Sequence, residues 1–531
     1  SALKLHNCAD VAARASPTPR PASRPPTPTV GATNMDPELT SAIKGFEKGK
    51  LRETTTHVTH DITIVSAADA EAAEESKGAE SKSADAAPAS GARGGVVEGI
   101  KNFFRGSPRP TETKEPTPVP VMDAALAEER RAVLEARAVA APTVSIADDA
   151  DCPEEVHGFK FIDAGWEPAG RAVECEAEAR PGYATRKAHE YVETEATLAA
   201  KAKELAKMIR AARNCVAYTG AGISTASGIG DYASRTRESL GAGKTRPKLR
   251  SPFEARPTLS HHVLAQMHKA GQLQYWIQQN HDGLPQKAGF PQHMINEIHG
   301  AWFDPSNPVV PMSGELRGDL FRDLLTWEER ADLVLAMGSS LCGMNADRVA
   351  TTCASKAMAG EDGALGAVIV ALQRTQYDSM ASLRIYATID DVMALVAKEL
   401  GDDAAVAKAQ SAGTYSLPKA LKAVAAAAGG AGGKSEELDD ERAIFRVPYD
   451  RKTGKRVRAG EAGMVLDLSD GATVRLTAGM YKGDEGVVLG RQSDGHWRLQ
   501  LKHCMNPKRS DKKVPFVRVL GSWWAEAAVT G

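Results

Sequence analysis

Cys215-Val-Ala-Tyr-Thr-Gly-Ala-Gly-Ile-Ser-Thr-Ala-Ser-Gly-Ile-Gly-Asp231 is the stretch whose reading decides the fold. A short apolar run of strand character ends abruptly in Gly220-Ala221-Gly222. Small residues there let backbone N–H groups come close to a phosphate. Taken alone, such a turn serves backbone sterics as often as phosphate binding, so support must come from the rest of the chain.

Working outward, residues 189–213 (HEYVETEATLAAKAKELAKMIRAAR) have helical periodicity and lead into that strand. Downstream, LQYWIQQN (273–280), ADLVLAMGSS (331–340), LGAVIVAL (365–372) and LRIYA (383–387) are further apolar strand candidates, separated by helical patterns or polar loops. Strands alternating with helices predict an α/β class domain over 185–402, a Rossmann-like parallel sheet covered on both faces.

Length and composition bound the rest. At 531 residues the chain exceeds what one core can organise. A net charge of −2 excludes a global field that would steer it to nucleic acid or membrane. Aromatic content of only 5 % predicts a sizeable unfolded fraction. Its seven cysteines are scattered and never paired as CxxC, which argues against a disulfide framework and for a reducing intracellular compartment, nuclear or cytoplasmic. No apolar run is long enough to span a bilayer, so no membrane partner is expected.

Further motifs follow the glycine-rich turn in a fixed order. They are Gln279-Asn280-His281-Asp282-Gly283-Leu284, Ala288-Gly289, His299-Gly300 and Gly338-Ser339-Ser340-Leu341. With the opening string matching GAGxSxxxGIxDFR through Asp231, this series resembles the sirtuin family of NAD-dependent protein deacylases. Gly314-Glu315-Leu316-Arg317 and the closing IDDVM resemble its nuclear branch.

The resemblance implies NAD as cofactor and an acylated protein as substrate. In that family the acyl-lysine carbonyl oxygen attacks the nicotinamide ribose as nicotinamide leaves, and a histidine base helps the ribose hydroxyls accept the acyl group. His299 matches the base, and an imidazole titrates in the right range for that task. Asn280 would orient water and ribose, with Gln279 beside it, and Asp282 would hold the nicotinamide carboxamide. Ser339 and Ser340, after Gly338, would bond phosphates or ribose. Gly220, Ala221, Gly222 and Ser224 would line the pyrophosphate, followed by Asp231 and Tyr232. ADP-ribosyl transfer to another acceptor, and an NAD-binding sensor or scaffold without turnover, are the alternatives.

Several positions depart from the family pattern. Asp231-Tyr232-Ala233 stands for DFR, so the arginine is missing, with Arg235 the nearest replacement. His281 replaces an Ile or Val beside nicotinamide, and Ala371 stands where an Asn contacts the adenosine ribose. Sirtuins carry a four-cysteine zinc module between the His-Gly dipeptide and the next strand. Here residues 301–338 contain no cysteine, only the proline-rich WFDPSNPVVP (302–311), so no metal site is expected.

The flanks read as separate modules. Residues 1–34 are low-complexity and expected to be disordered. Residues 35–122, with Ile43 and Phe46 ahead of Leu51-Arg52-Glu53-Thr54-Thr55, resemble β-thymosin or actobindin repeats, implying actin monomer as a partner. Residues 123–184 form a linker with a helix near 123–140, and 403–440 form another linker. Within 441–531, TVRLTAGMYKGDEGVVLG (473–490) resembles a KOW motif of a small SH3-like β-barrel. Its basic residues with Trp497, Trp523 and Trp524 suggest a nucleic-acid face, and a protein-binding barrel is the alternative.

Overall fold

The structure, a computed structural model, describes residues 65–66, 145–148, 156–180, 184–231, 249–311 and 314–427, and describes 233–247 and 438–530 with gaps. The thymosin-like segment (apart from Val65–Ser66), the helix expected near 123–140, Tyr232 and Arg235 lie outside the described residues.

Six strands form the central sheet: β1 (Cys215–Thr219), β2 (Tyr275–Gln278), β3 (Ile295–Glu297), β4 (Leu333–Met337), β5 (Gly366–Val370) and β6 (Leu383–Ile385). Every pairing is parallel, in the order β6-β5-β4-β1-β2-β3. Side chains alternate across the sheet, so each strand feeds two apolar layers. Cys215 and Ala217 face α1 (Glu195–Ala211), α2 (Leu259–Lys269) and α5 (Ile389–Leu400), where Leu205, Val263 and Val392 are fully buried. Val216 and Tyr218 face the opposite layer, packed with Leu324 of α3 (Gly318–Arg330) and Val349 of α4 (Arg348–Met358). Threonine side chains start three of these helices, with Thr258 ahead of α2 accepting from the His261 N–H. Thr194 accepts from the Thr197 N–H, and Thr388 accepts from the Asp391 N–H at 3.3 Å.

Chain order reverses between β1 and β4. From β1 the sheet grows through β2 to β3, and from β4 it grows the other way through β5 to β6. That reversal opens a crevice at the carboxyl ends of β1 and β4, where open α/β sheets bind ligands.

The structure departs from the sequence reading in several places. Residues 190–192, inside the expected helix, pair as a strand with Gly170–Val173, and the helix begins only at Glu195. Strand β3 was not anticipated. Its Asn296 and Glu297 are polar, yet both are buried. The 403–440 segment contains the helices Asp403–Ser411 and Leu417–Ala427, and their Val406 and Leu417 enter apolar clusters.

C-terminal residues form antiparallel strands β7 (Ile444–Val447), β8 (Met464–Asp467), β9 (Thr473–Arg475), β10 (Glu485–Arg491), β11 (Trp497–Met505) and β12 (Pro515–Leu520), followed by helix α6 (Trp523–Thr530). Val65–Ser66 adds to the edge of β9. The expected aromatic nucleic-acid face is corrected here. Trp497, Trp523 and Trp524 are 0 %, 3 % and 9 % exposed, because they fill the core of this module and offer no face for stacking bases.

Candidate functional site

The crevice is built on close backbone approach. Gly220 donates to the Met337 carbonyl at 3.0 Å and Gly222 to the Gly338 carbonyl at 2.9 Å, which joins the turns after β1 and β4. A Cβ on Gly222 would lie 2.6 Å from the Gly338 Cα, and Gly338 has φ of +65°, so neither position takes a side chain without displacing the other. Helix α5 closes one side through Ile389.

Of the residues singled out in the sequence, Ala221, Gly222, Asp231, Gln279, Gly338, Ser339 and Ser340 line this cleft together. Gln279 spans it. Its amide donates to Ser339 Oγ at 2.9 Å and to the Tyr218 hydroxyl. The cleft also contains Ala233 and Ala371, at the positions that depart from the family pattern.

Gly220, Ser224, Asn280 and Asp282 form a second cluster beneath the first. Asn280 Nδ2 donates to the Gly220 carbonyl and to Ser224 Oγ, each at 3.0 Å. Ser224 Oγ in turn donates to Asp282 Oδ2 at 2.6 Å. The other Asp282 oxygen accepts from Gln278 Nε2 at 3.1 Å and from the Leu284 N–H at 3.0 Å. Burial raises the Asp282 pKa, and these donors offset part of the rise.

His299 sits half-buried after β3, and its carbonyl accepts from the Val310 N–H at 2.9 Å. The neighbouring loops are tied twice. His281 Nδ1 donates to the Gly300 carbonyl at 2.8 Å, and the Trp302 N–H donates to the His281 carbonyl at 2.9 Å. Burial pushes the His281 imidazole below its ordinary pKa, so it is a neutral donor there. A histidine at this position therefore acts as a strap between the Asp282 and His299 loops, which an Ile or Val side chain cannot do.

Sequence reasoning missed the acidic and basic residues that the upstream strands bring in. Arg186, half-buried, lines the cleft, as does Arg374 from the loop after β5. Glu190 is buried, and its carboxylate accepts from Ser239 Oγ and from the Leu240 N–H at 2.7 Å, which anchors the segment following Asp231. Asp231 holds the same segment, accepting from the Ser234 N–H at 2.7 Å. Residues 178–190 carried no signal for this, since their short strands are polar and irregular.

Among the described residues, no group of three or more His, Cys, Asp or Glu side chains is placed to hold a metal ion. The Trp302–Asn307 segment packs instead against the C-terminal module. Phe303 belongs to the apolar cluster of Phe445, Leu466, Trp497 and Trp523, and its carbonyl accepts from the Gly521 N–H at 2.8 Å.

The chain is similar in sequence to several known proteins. A sequence model of the Sir2 family matches residues 244–307. The rat (Rattus norvegicus) NAD-dependent protein deacetylase sirtuin-7 is 30 % identical over 281 residues, 45 % of this chain and 69 % of that protein. The Arabidopsis thaliana NAD-dependent protein deacetylase SRT1 is 31 % identical over 254 residues, 40 % of this chain and 51 % of that protein. An NAD-dependent protein deacetylase of Sulfolobus acidocaldarius is 30 % identical, with 92 % of its length matched by 36 % of this chain. A solved sirtuin structure addressing substrate affinity matches 38 % of this chain and 98 % of its own, at 25 % identity and a TM-score of 0.31.

Proposed function

The chain belongs to the Sir2 family, and from that premise we propose that it is an NAD-dependent protein-lysine deacylase that releases nicotinamide and transfers the acyl group to ADP-ribose. The observation that carries this reading is the hydrogen-bonded chain Gly220–Asn280–Ser224–Asp282, which links the glycine-rich turn to the loop strapped against His299.

NAD fits the residues present. The Gly222–Gly338 contact leaves a cradle that a Cβ would fill, and the cleft is lined by Ser339, Ser340, Arg186 and Arg374, groups suited to phosphate and ribose. The bound dinucleotide supplies an electrophilic ribose carbon with nicotinamide as leaving group. The protein's part is to orient and to move a proton. Asp282 and Asn280 are held in one geometry by their shared partner Ser224, which lowers the reorganisation needed when charge develops. His299 is the general base that takes a proton from a ribose hydroxyl. The arginine absent at Ala233 is replaced in charge by Arg186 and Arg374, which come from other parts of the chain.

Mass-spectrometric detection of acylated ADP-ribose, formed from NAD and an acetyl-lysine peptide by the wild-type chain and not by His299→Ala, tests this reading. A second reading, an NAD-binding sensor with little turnover, is favoured by the two alanines, Ala233 and Ala371, facing the cleft. In that case NAD binds and no acylated product forms.

The flanking modules extend the proposal. The antiparallel strands β9 to β12 and the turn at Gly483 (φ +89°) support the KOW resemblance, with a protein ligand favoured over nucleic acid because the tryptophans are interior. Actin binding by residues 35–122 rests on the sequence resemblance alone.

A further inference from the structure

The loop that follows His299-Gly300 is irregular backbone, yet it is a buried one. Phe303, Asp304, Ser306 and Asn307 are all 5 % exposed or less. A segment without a helix or strand ladder needs packing from outside to hold one conformation. That packing comes from the far end of the chain. Trp523, the first residue of α6, stacks at an angle on Phe303 with ring centroids 5.1 Å apart. His496 lies edge-on to both rings, at 4.8 Å from Phe303 and 5.1 Å from Trp523. On the β9–β10 side, Gly479 meets the Ser306 carbonyl so closely that a Cβ there would overlap it.

The same two rings also reach the other loop of the site. Gly283, directly after Asp282, has φ of +64°, and a Cβ on it would lie 2.8 Å from Phe303 and 3.0 Å from Trp523. Lys287, one turn further on, places its ammonium 4.9 Å from the Phe303 ring centroid. Its carbonyl accepts from the Tyr415 N–H at 2.8 Å.

From this convergence we infer that Trp523 is a positioning residue of the catalytic site. It wedges Phe303 against Gly283 and so fixes the spacing between the Asp282 and His299 loops. The C-terminal module is then a working part of the catalytic domain rather than a tethered accessory. The structural half of this inference stands on packing, whereas its catalytic consequence rests on the deacylase reading above.

The test compares the full chain with Trp523→Ala, the milder Trp523→Leu, and Trp523→Phe, which keeps a ring against Phe303. Hydrogen exchange is read at the Trp302 and Leu284 amides, whose bonds close the two loops. The nicotinamide release rate and the KM for NAD are read alongside. Trp523→Ala is expected to speed exchange at those amides while protection in β1 and β4 is kept. It should cut the nicotinamide release rate by about ten- to a hundredfold, since an ångström's misplacement of a catalytic group costs up to about a hundredfold, with KM for NAD little changed. Trp523→Phe should restore most of both losses. If Trp523→Ala melts the whole chain, the Trp523→Leu comparison decides by the same readouts. Unchanged exchange at Trp302 and Leu284, or exchange raised evenly over the sheet, overturns the inference. A wild-type chain that releases no nicotinamide contradicts the deacylase reading instead, and the exchange comparison still decides the positioning claim.

Discussion

The rings of Phe303 and Trp523 lie 57° apart in plane and 5.1 Å apart in centroid, which joins the loop after His299 to the C-terminal helix. Phe303 is 1 % exposed and sits at the seam of two modules, so its removal opens a cavity that neither can close alone. Phe303→Ala should therefore cost about 3–5 kcal/mol of unfolding free energy, the usual range for a buried phenylalanine. Denaturant unfolding of the full chain measures it. A loss within error of zero would mean the seam is not formed in solution.

Ser224 both accepts from Asn280 and donates to Asp282. Ser224→Ala leaves a buried carboxylate oxygen without that donor, so kcat/KM for NAD should fall by about tenfold, the equivalent of one lost buried hydrogen bond to a charged group. Initial rates at varied NAD give the value, and parameters equal to wild type would remove the Ser224 link from the account.

Arg186 lines the cleft in a family member that lacks the expected arginine at Ala233. If it meets a phosphate there, Arg186→Gln should weaken NAD binding by about tenfold, and Arg186→Lys by less, as expected when one charge-assisted bond is lost. Calorimetric titration with NAD in the absence of peptide separates this from effects on turnover. Unaltered affinity would shift the role to Arg374.

Glu297 is fully enclosed in β3, and burial, followed by the nearby Asp304, raises its pKa from 4.5 to about 8. Its proton is kept in the fold through that interval and lost from the unfolded chain. The stabilising contribution is thus complete below about pH 4.5 and disappears as pH climbs through about 8. Glu297→Gln removes this dependence. Its melting temperature should lie close to wild type near pH 5 and exceed it at pH 8, with a gap that widens steadily between the two as the unfolded chain, but not the fold, gives up the Glu297 proton. Thermal melts at both pH values check it, and a difference that does not grow with pH would show that Glu297 ionises freely.

Much of the sheet was legible because Cys215–Thr219, Leu333–Met337 and Gly366–Val370 are continuous apolar runs, buried on both faces. β3 escaped notice because two of its three residues are polar, and their burial depends on tertiary packing. Asn296 Nδ2 donates to the Leu320 carbonyl and to Asp323, each at 2.7 Å. Glu190 and Tyr191 were absorbed into a helical pattern, and only the Gly170–Val173 partner makes them a strand. Within the site, Gln279, Asn280 and Asp282 could be read from their motif. Arg186 and Trp523 could not, since no local period records which distant loop a side chain will meet. Trp302-Phe303 looked like the start of a proline-rich turn and is an anchor for the far end of the chain.

The central claim is tested most directly by single-turnover release of nicotinamide from NAD by the full chain, with and without an acetyl-lysine peptide. The account predicts release that requires the peptide and is abolished in His299→Ala. Tight NAD binding with no peptide-dependent release would contradict it and leave the cleft as a sensor.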